Sequence, residues 1–437
     1  MSVDLAPLHR AHVQTLTQRS AAALERVARE HLLIAAGATR YEFLDDRPYP
    51  FRINPHFKAW LPLDEHPDCW LKITPGEKPH LFYFQPDDFW HMPPADPAGY
   101  WTEQCTISII RNPGELAALL PPPAQCAIVG EPEAEVGAWV PDNPPALIDY
   151  LHFHRAFKTP YEIELMRRAS RRAVAGHRAA EAAFRAGASE HGVHQAYLAA
   201  SGHGDLDLPY GSIVCLNEHA AILHYQHRDR VAPVRHRSLL IDAGASCAGY
   251  AADITRTYSG ESGDFAALLA GVDRVQRQLV DGVRPGRDYR DLHLDCHRQL
   301  SALLIEAGVI RCGLDEAIAA SLSSTFFPHG LGHLIGLQVH DVAGFAASED
   351  GGRIERPEGH PFLRLTRPLA PGMAVTIEPG LYFIESLLAR LRASDHARHI
   401  DWTRVDALAP YGGIRIEDDV VCTEADPENL SRDAFAA

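Results

Sequence analysis

A chain of 437 residues, 46% of them apolar, is long enough for two ordinary domains and carries the material for sizeable cores. Its formal charge of −16, from 57 acidic residues against 41 Lys and Arg, excludes the broad basic patches by which nucleic acids or anionic membrane surfaces are bound. The eight cysteines are scattered without a CxxC pair, and no apolar run reaches the ~18 residues of a membrane span. With no basic-then-apolar leader at Met1, the expectation is a reduced, cytoplasmic protein.

In chain order, residues 7–37 carry helical periodicity through Leu8, Val13, Leu16, Ala23, Leu24, Val27 and Leu32. A proline- and aromatic-rich stretch over 49–101 offers short strands at 59–61, 69–73 and 81–84. Helices are expected over 112–120 and 143–157, with a buried strand at 127–129. This part, residues 1–157, reads as a smaller α/β domain without chemistry of its own. Next, Thr159-Pro160-Tyr161-Glu162 has the form of a capping box with proline in the first turn, opening a helix to about 185. Strands follow at 212–216, 239–243 and 251–258, with hairpin-like spacing, then helices at 264–279 and 289–307. A glycine-hinged loop from Phe327 is expected to enter a strand over 337–342 that contains His340. Beyond it come a polar loop at 346–361 and strands around Glu378 and Glu417. Residues 158–437 therefore read as an α+β domain with a largely antiparallel sheet.

Within that second part, His329, His333 and His340 are spaced by Gly330, Gly332 and Gly336, residues that let backbone approach a ligand closely. Asp242, Asp253, Glu378 and Glu417 each interrupt an apolar, strand-like run. A carboxylate in such a run is costly to bury unless it is paired or bound to a metal. Converging alone, four would repel one another; two dications, about +4 against about −4, remove the conflict. Carboxylates with one imidazole suit Mn²⁺, Co²⁺ or Zn²⁺, and the absence of thiolates argues against structural zinc. The competing reading makes one or two of these acids salt-bridge partners of Arg256 or Arg415.

The order Asp242, Asp253, His333, Glu378, Glu417, in these contexts, resembles the dinuclear metallopeptidases of the pita-bread fold, in particular bacterial Xaa-Pro dipeptidases (prolidases). The likeness runs through 213–225, with its Asn217-Glu218-His219, and through 242–257, 328–345, 371–384 and 412–421. It implies a pita-bread domain with a mostly antiparallel curved sheet behind the smaller α/β domain. It further implies two divalent ions, Mn²⁺ before Zn²⁺ or Co²⁺, with Asp242 on one, His333 and Glu378 on the other, and Asp253 and Glu417 bridging. Glu378 would also serve as general base to a metal-bound water, and His340 would stabilise the oxyanion. His224 is expected near the proline end of the substrate, and Arg364 on its free carboxylate, with Arg367 a surface arginine. His329, Arg415 and Tyr210 would line or orient the substrate site. The implied reaction splits Xaa-Pro dipeptides into an amino acid and proline, in a homodimer. The alternatives are aminopeptidase P-type cleavage of longer Xaa-Pro peptides, promiscuous organophosphate hydrolysis, and a metal-free pita-bread protein, either a creatinase-like hydrolase or a non-catalytic binding protein, which would lack ligands that are all present here.

Overall fold

The computed structural model describes residues 3–437. The chain divides into two units, one of residues 1–165 with 346–353 and one of residues 166–345 with 354–437.

In the first unit, α1 (Leu5–Val27) starts at Asp4, whose carboxylate accepts the Ala6 N–H, and stops at Ala28, which is left-handed at φ 50°. The helix expected to run to residue 37 therefore ends at Val27, and β1 (His31–Ala35) replaces its second half. The physical reason is a run buried on both faces. Leu32 and Ile34 pack with Val13 and Leu24, while Leu33 and Ala35 pack with Leu116 and Ile128. Pro55 behind the Asn54 cap starts the one-turn α2 (Pro55–Lys58), and Trp60 and Leu61 are buried in the turn after it, where a strand was expected. β2 (Trp70–Ile73), β3 (His80–Phe84), β4 (Thr106–Ile110), α3 (Pro113–Leu119), β5 (Cys126–Val129) and α4 (Pro145–Arg155) follow. The strands form one mixed sheet, ordered β4-β3-β2-β1-β5, in which β1–β5 and β3–β4 are parallel. β4 was not anticipated.

Glu162 Oε2 accepts the Thr159 N–H at 2.7 Å and the Glu162 N–H reaches Thr159 Oγ1 at 3.5 Å, so the capping box opens α5 (Pro160–Arg185) as expected. The division between units falls after Leu165, inside this helix. α6 (Glu190–Ser201), β6 (Ile213–Leu216), β7 (Ser238–Asp242), the small hairpin of β8 (Ser246–Cys247) and β9 (Tyr250–Ala251), and β10 (Thr255–Ser259) come next. β6 and β10 flank β7, both antiparallel to it. Helices α7 (Asp264–Asp281), α8 (Tyr289–Glu306), α9 (Leu314–Ala319) and α10 (Ser323–Phe326) lead to the histidine-rich stretch.

That stretch is not a strand over 337–342: the backbone bends through 336–340. It turns back on itself because the Gly336 N–H reaches Gln338 O at 3.1 Å and the Asp341 N–H reaches Leu334 O at 2.8 Å. The polar loop expected from 346 instead begins with a hairpin, β11 (Ala346–Ser348) and β12 (Gly351–Arg353), which belongs to the first unit. Ser348 Oγ donates to Gly351 O, and Gly351 and Gly352 take φ +93° and +84°, which closes the tight turn. Glu349 accepts from Arg26 at 2.5 Å and contacts His154 Nε2 at 2.9 Å.

The chain ends with β13 (Ala374–Ile377), β14 (Gly380–Tyr382), α11 (Glu385–Arg392), α12 (Trp402–Leu408), β15 (Gly413–Arg415), β16 (Asp418–Val421), β17 (Glu428–Asn429) and α13 (Leu430–Ala436). β13–β16, β16–β17 and β14–β15 are all antiparallel, and a bridge from Thr255 to Glu417 links this part to β10. Among the described residues no helix is long and apolar enough to cross a membrane, and no disulfide joins the cysteines.

Asp418 is fully buried and anchors this part of the unit. It accepts from Arg256 at 2.6 Å, from Arg432 and Gln276 at 2.8 Å each, and from Asn429 at 2.9 Å. Burial pushes its carboxyl up, but Arg256 and Arg432 hold it below the ordinary range. Asp418→Ala leaves two guanidinium groups short of a partner and is expected to cost ~3–5 kcal/mol in urea unfolding. The wild-type contribution is present above the ordinary carboxylate range and is lost as pH falls through the lowered value, so the gap between the two proteins narrows in acid.

Candidate metal centre

Five strand ends and loops of the second unit deliver acidic or imidazole side chains. Asp242 is the last residue of β7, paired with Thr255 on one side and Ile213 on the other. Asp253 lies just before β10, and its N–H donates to Asp419 Oδ2 at 3.0 Å. Glu417 sits between β15 and β16, where its N–H donates to Thr255 O at 3.0 Å and its Oε2 accepts from Thr255 Oγ1 at 2.6 Å. Glu378 follows β13, with its N–H on Leu331 O at 2.8 Å. His333 is stitched to β13 twice: its N–H donates to Thr376 Oγ1 at 3.1 Å, and its carbonyl accepts the Thr376 N–H at 2.9 Å. This close approach needs Gly332, where a Cβ would lie 2.2 Å from Thr376 O and 2.4 Å from the Tyr289 hydroxyl.

The side chains share a focus. His333 Nδ1 donates to Leu334 O at 3.0 Å, which leaves Nε2 facing Asp253 Oδ2 at 3.5 Å and Glu378 Oε1 at 3.8 Å. One ligand atom from each of Asp253, His333 and Glu417 lies within 4.8 Å of the others. Arg415 lies behind them, donating to Asp242 Oδ2 at 2.6 Å and Thr255 Oγ1 at 3.1 Å, with Glu417 Oε2 at 3.8 Å. The Tyr210 hydroxyl is buried beside Asp242 and Asp253.

The electrostatics are unbalanced. Burial pushes Glu417 far above the usual carboxylate range, and Asp253, Glu378 and Asp242 push it further. Asp242 is also raised by burial, which outweighs Arg415. Burial raises Glu378 to about 7, although His333 and Arg415 pull the other way. Asp253 alone falls below its ordinary value: burial pushes it up, but hydrogen bonding and charge from His333 win. Asp242 Oδ1, moreover, is buried without a hydrogen-bond partner. An oxygen-rich set with one imidazole, an orphan carboxylate oxygen and mutually repelling acids is what a pair of divalent cations would satisfy.

The flanking residues differ in exposure. His340 is exposed at its edge, its ring edge-on to His333 with centroids 4.4 Å apart, and the protein packed around the rest of it, with the nearby His333 and Arg364, lowers it to about 4. His224 is also exposed, close enough to depress both His329 and His340. Both His329 nitrogens are engaged: Nδ1 with Gly330 O and Nε2 with the Tyr382 hydroxyl, each at 2.8 Å. Arg364 is exposed, whereas Arg367 is 4% exposed and is not the surface residue expected; its backbone carbonyl is held by the Tyr289 N–H.

Two participants were missed in the sequence. Tyr382 joins Arg415 Nη1, at 2.9 Å, to His329, and Thr255 joins Arg415 to Glu417. Thr255 could have been found from its place two residues after Asp253; Tyr382 carries no such signal.

Comparison with known proteins places the chain in a family. Residues 7–153 match a family described as Xaa-Pro dipeptidase, N-terminal domain, and residues 164–424 match Metallopeptidase family M24. A protein of Xanthomonas axonopodis pv. citri named Xaa-Pro dipeptidase is 56% identical over 436 residues, 99% of both chains. One of the same name from Stenotrophomonas maltophilia is 54% identical, covering 99% of this chain and 98% of that one. Among solved structures, E. coli aminopeptidase P with the inhibitor Pro-Leu superposes with a TM-score of 0.72 at 25% identity, covering 99% of this chain and 96% of the other. Proline aminopeptidase P II from Yersinia pestis gives 0.71 at 25% identity, covering 97% and 96%.

The raised Glu378 gives a sign that can be measured in EDTA-treated protein. Its folded value of about 7 exceeds the ordinary 4.5, so its contribution to stability is whole below about 4.5 and is lost as pH rises through 7. Urea unfolding should show the metal-free protein up to ~3 kcal/mol less stable at pH 8 than at acid pH from this group. Glu378→Gln should flatten that slope.

Proposed function

The chain belongs to metallopeptidase family M24 and has its pita-bread fold, and on that premise we propose that it hydrolyses Xaa-Pro dipeptides to a free amino acid and proline. The observation that supports this reading is the buried common focus of Asp253, His333 and Glu417 in a chain 56% identical over 436 residues to a protein named Xaa-Pro dipeptidase. Asp242 would hold one divalent ion, His333 and Glu378 the other, with Asp253 and Glu417 shared. Mn²⁺ is the first assignment for so oxygen-rich a set, ahead of Zn²⁺ or Co²⁺. Bound there, the ions supply Lewis acidity that ionises water near neutral pH and polarises the scissile carbonyl.

The chain's own groups do the rest. Glu378 takes a proton from water and passes it to the departing proline nitrogen. That nitrogen needs it, because an amide nitrogen departs as an amine and not as an amide anion; before proline the amide is tertiary, so the product is proline's secondary amine. His340, lowered to about 4, is neutral at pH 7 and donates to the developing oxyanion. The exposed Arg364 takes the carboxylate that follows proline directly in a dipeptide. His224 borders the proline end. Tyr210 faces Asp242 and Asp253. His329 and Arg415, both committed to Tyr382, hold the wall rather than grip the substrate. We assign this chemistry to residues 158–437, with 1–157 a separate domain, in a cytoplasmic homodimer. Organophosphate hydrolysis would be side activity only.

The aminopeptidase P reading draws on the solved neighbours at 25% identity. Ala-Pro and Ala-Pro-Ala separate the two: turnover of the dipeptide with little of the tripeptide is expected, and preference for the tripeptide reverses the assignment. Asp253→Asn should lose both metal stoichiometry, by atomic absorption, and turnover. Arg364→Ala should keep its metal and raise KM for Ala-Pro by roughly 5–30-fold, as loss of a charged partner worth about 1–2 kcal/mol, between an exposed and a buried pair, requires.

A further inference from the structure

We infer that His293, His297 and His360 form a separate site for a borderline divalent transition metal of the Zn²⁺ class. α8 sets His293 and His297 one turn apart on a single face, and the chain before Arg364 lays His360 against both. The three ring centroids lie 4.6–4.7 Å apart. His293 Nε2 is 2.9 Å from His360 Nδ1, and one nitrogen from each ring falls within 4.8 Å of the others.

The second observation concerns unmet nitrogens. His297 is 8% exposed; its Nδ1 lies 3.0 Å from Ser323 Oγ, and its Nε2 is buried with no partner. His293, 1% exposed, has Nδ1 unpaired as well. Buried nitrogens without partners are costly and uncommon. Burial also keeps this trio uncharged, lowering His293 to about 2 and His297 to about 3, so lone pairs rather than N–H⁺ groups are on offer at neutral pH. Two imidazoles facing each other at hydrogen-bond distance share one proton; a dication would satisfy both, and a small turn of the half-buried His360 brings the nitrogens to tetrahedral spacing, roughly 3.3 Å for Zn–N bonds of about 2.0–2.1 Å. Ser323 then orients His297 from outside.

No carboxylate belongs to this set, so it selects differently from the acidic centre. Imidazole alone suits Zn²⁺, Ni²⁺, Co²⁺ or Cu²⁺ and discriminates against Mn²⁺ and Mg²⁺. Occupancy would tie α8 to the segment that carries Arg364, and only the Phe327 ring separates the trio from His329, with centroids 5.0 Å from His297 and 4.7 Å from His329.

The test counts zinc in the full-length protein by equilibrium dialysis and locates it in crystals by anomalous scattering at the zinc edge. Wild type should bind three equivalents, and His297→Gln and His360→Ala two each or a third at least ~10-fold more weakly. Asp253→Asn should retain the equivalent that the added His360→Ala removes, which separates this site from the acidic centre. A wild type that stops at two equivalents, a third equivalent that survives both histidine changes, or a third peak away from the trio overturns the proposal.

Discussion

Four carboxylates, one imidazole and one guanidinium are confined where water scarcely reaches, and the architecture of the second unit follows from that confinement. Asp242, Asp253, Glu378 and Glu417 cannot all be ionised together with only His333 and Arg415 to answer them. The protein holds them there with backbone. Asp253 and Glu417 are fixed by N–H donation to Asp419 and Thr255, and Glu378 by Leu331. Arg415 reaches Asp242, Thr255 and Tyr382 at once, so one cation braces both ends of the cluster. The Asp418 network reverses the imbalance: one buried carboxylate accepts from two arginines and from the side-chain amides of Gln276 and Asn429, and Arg432 also reaches Asp273.

The histidines divide along the same line. Burial alone would depress every one of them. His333 escapes because Asp253 and Glu378 lie close enough to raise it. At His329, His340, His293 and His297 burial wins, helped by neighbouring histidines or arginines, even though His329 Nδ1 lies 3.7 Å from Glu378 Oε2. The same residue type therefore serves as a partner of acids in one place and as a neutral donor or lone-pair source in another, according to what stands within a few ångströms.

What could be read in the chain beforehand was whatever departs from local expectation. An acid inside Leu239-Leu240-Ile241-Asp242, or before Pro379-Gly380, is conspicuous because burial penalises it. The Thr159–Glu162 cap was legible because its partners are three residues apart. Features set by distant partners were not. Leu32 to Ala35 share the helical spacing of α1, yet they form β1 because partners on both faces of the sheet claim them. His340 lies in a bend, not a strand, because the Asp341 N–H returns to Leu334. Arg364 and Arg367 are indistinguishable in sequence, and only packing makes the first exposed and the second buried. Tyr382 joins two groups remote from it in the chain, which no local pattern announces.

The hairpin of β11 and β12 has a bearing on how the polypeptide matures. It lies far along the chain, yet it supplies carboxylates of the first unit, with Glu349 taken by both Arg26 and His154. When a ribosome has released the first 165 residues, all five strands of that unit's sheet exist, but the acids that Arg26 and His154 contact have not been translated. Completion of the leading unit must therefore wait until most of the catalytic portion has emerged, so the first part begun is not the first part finished.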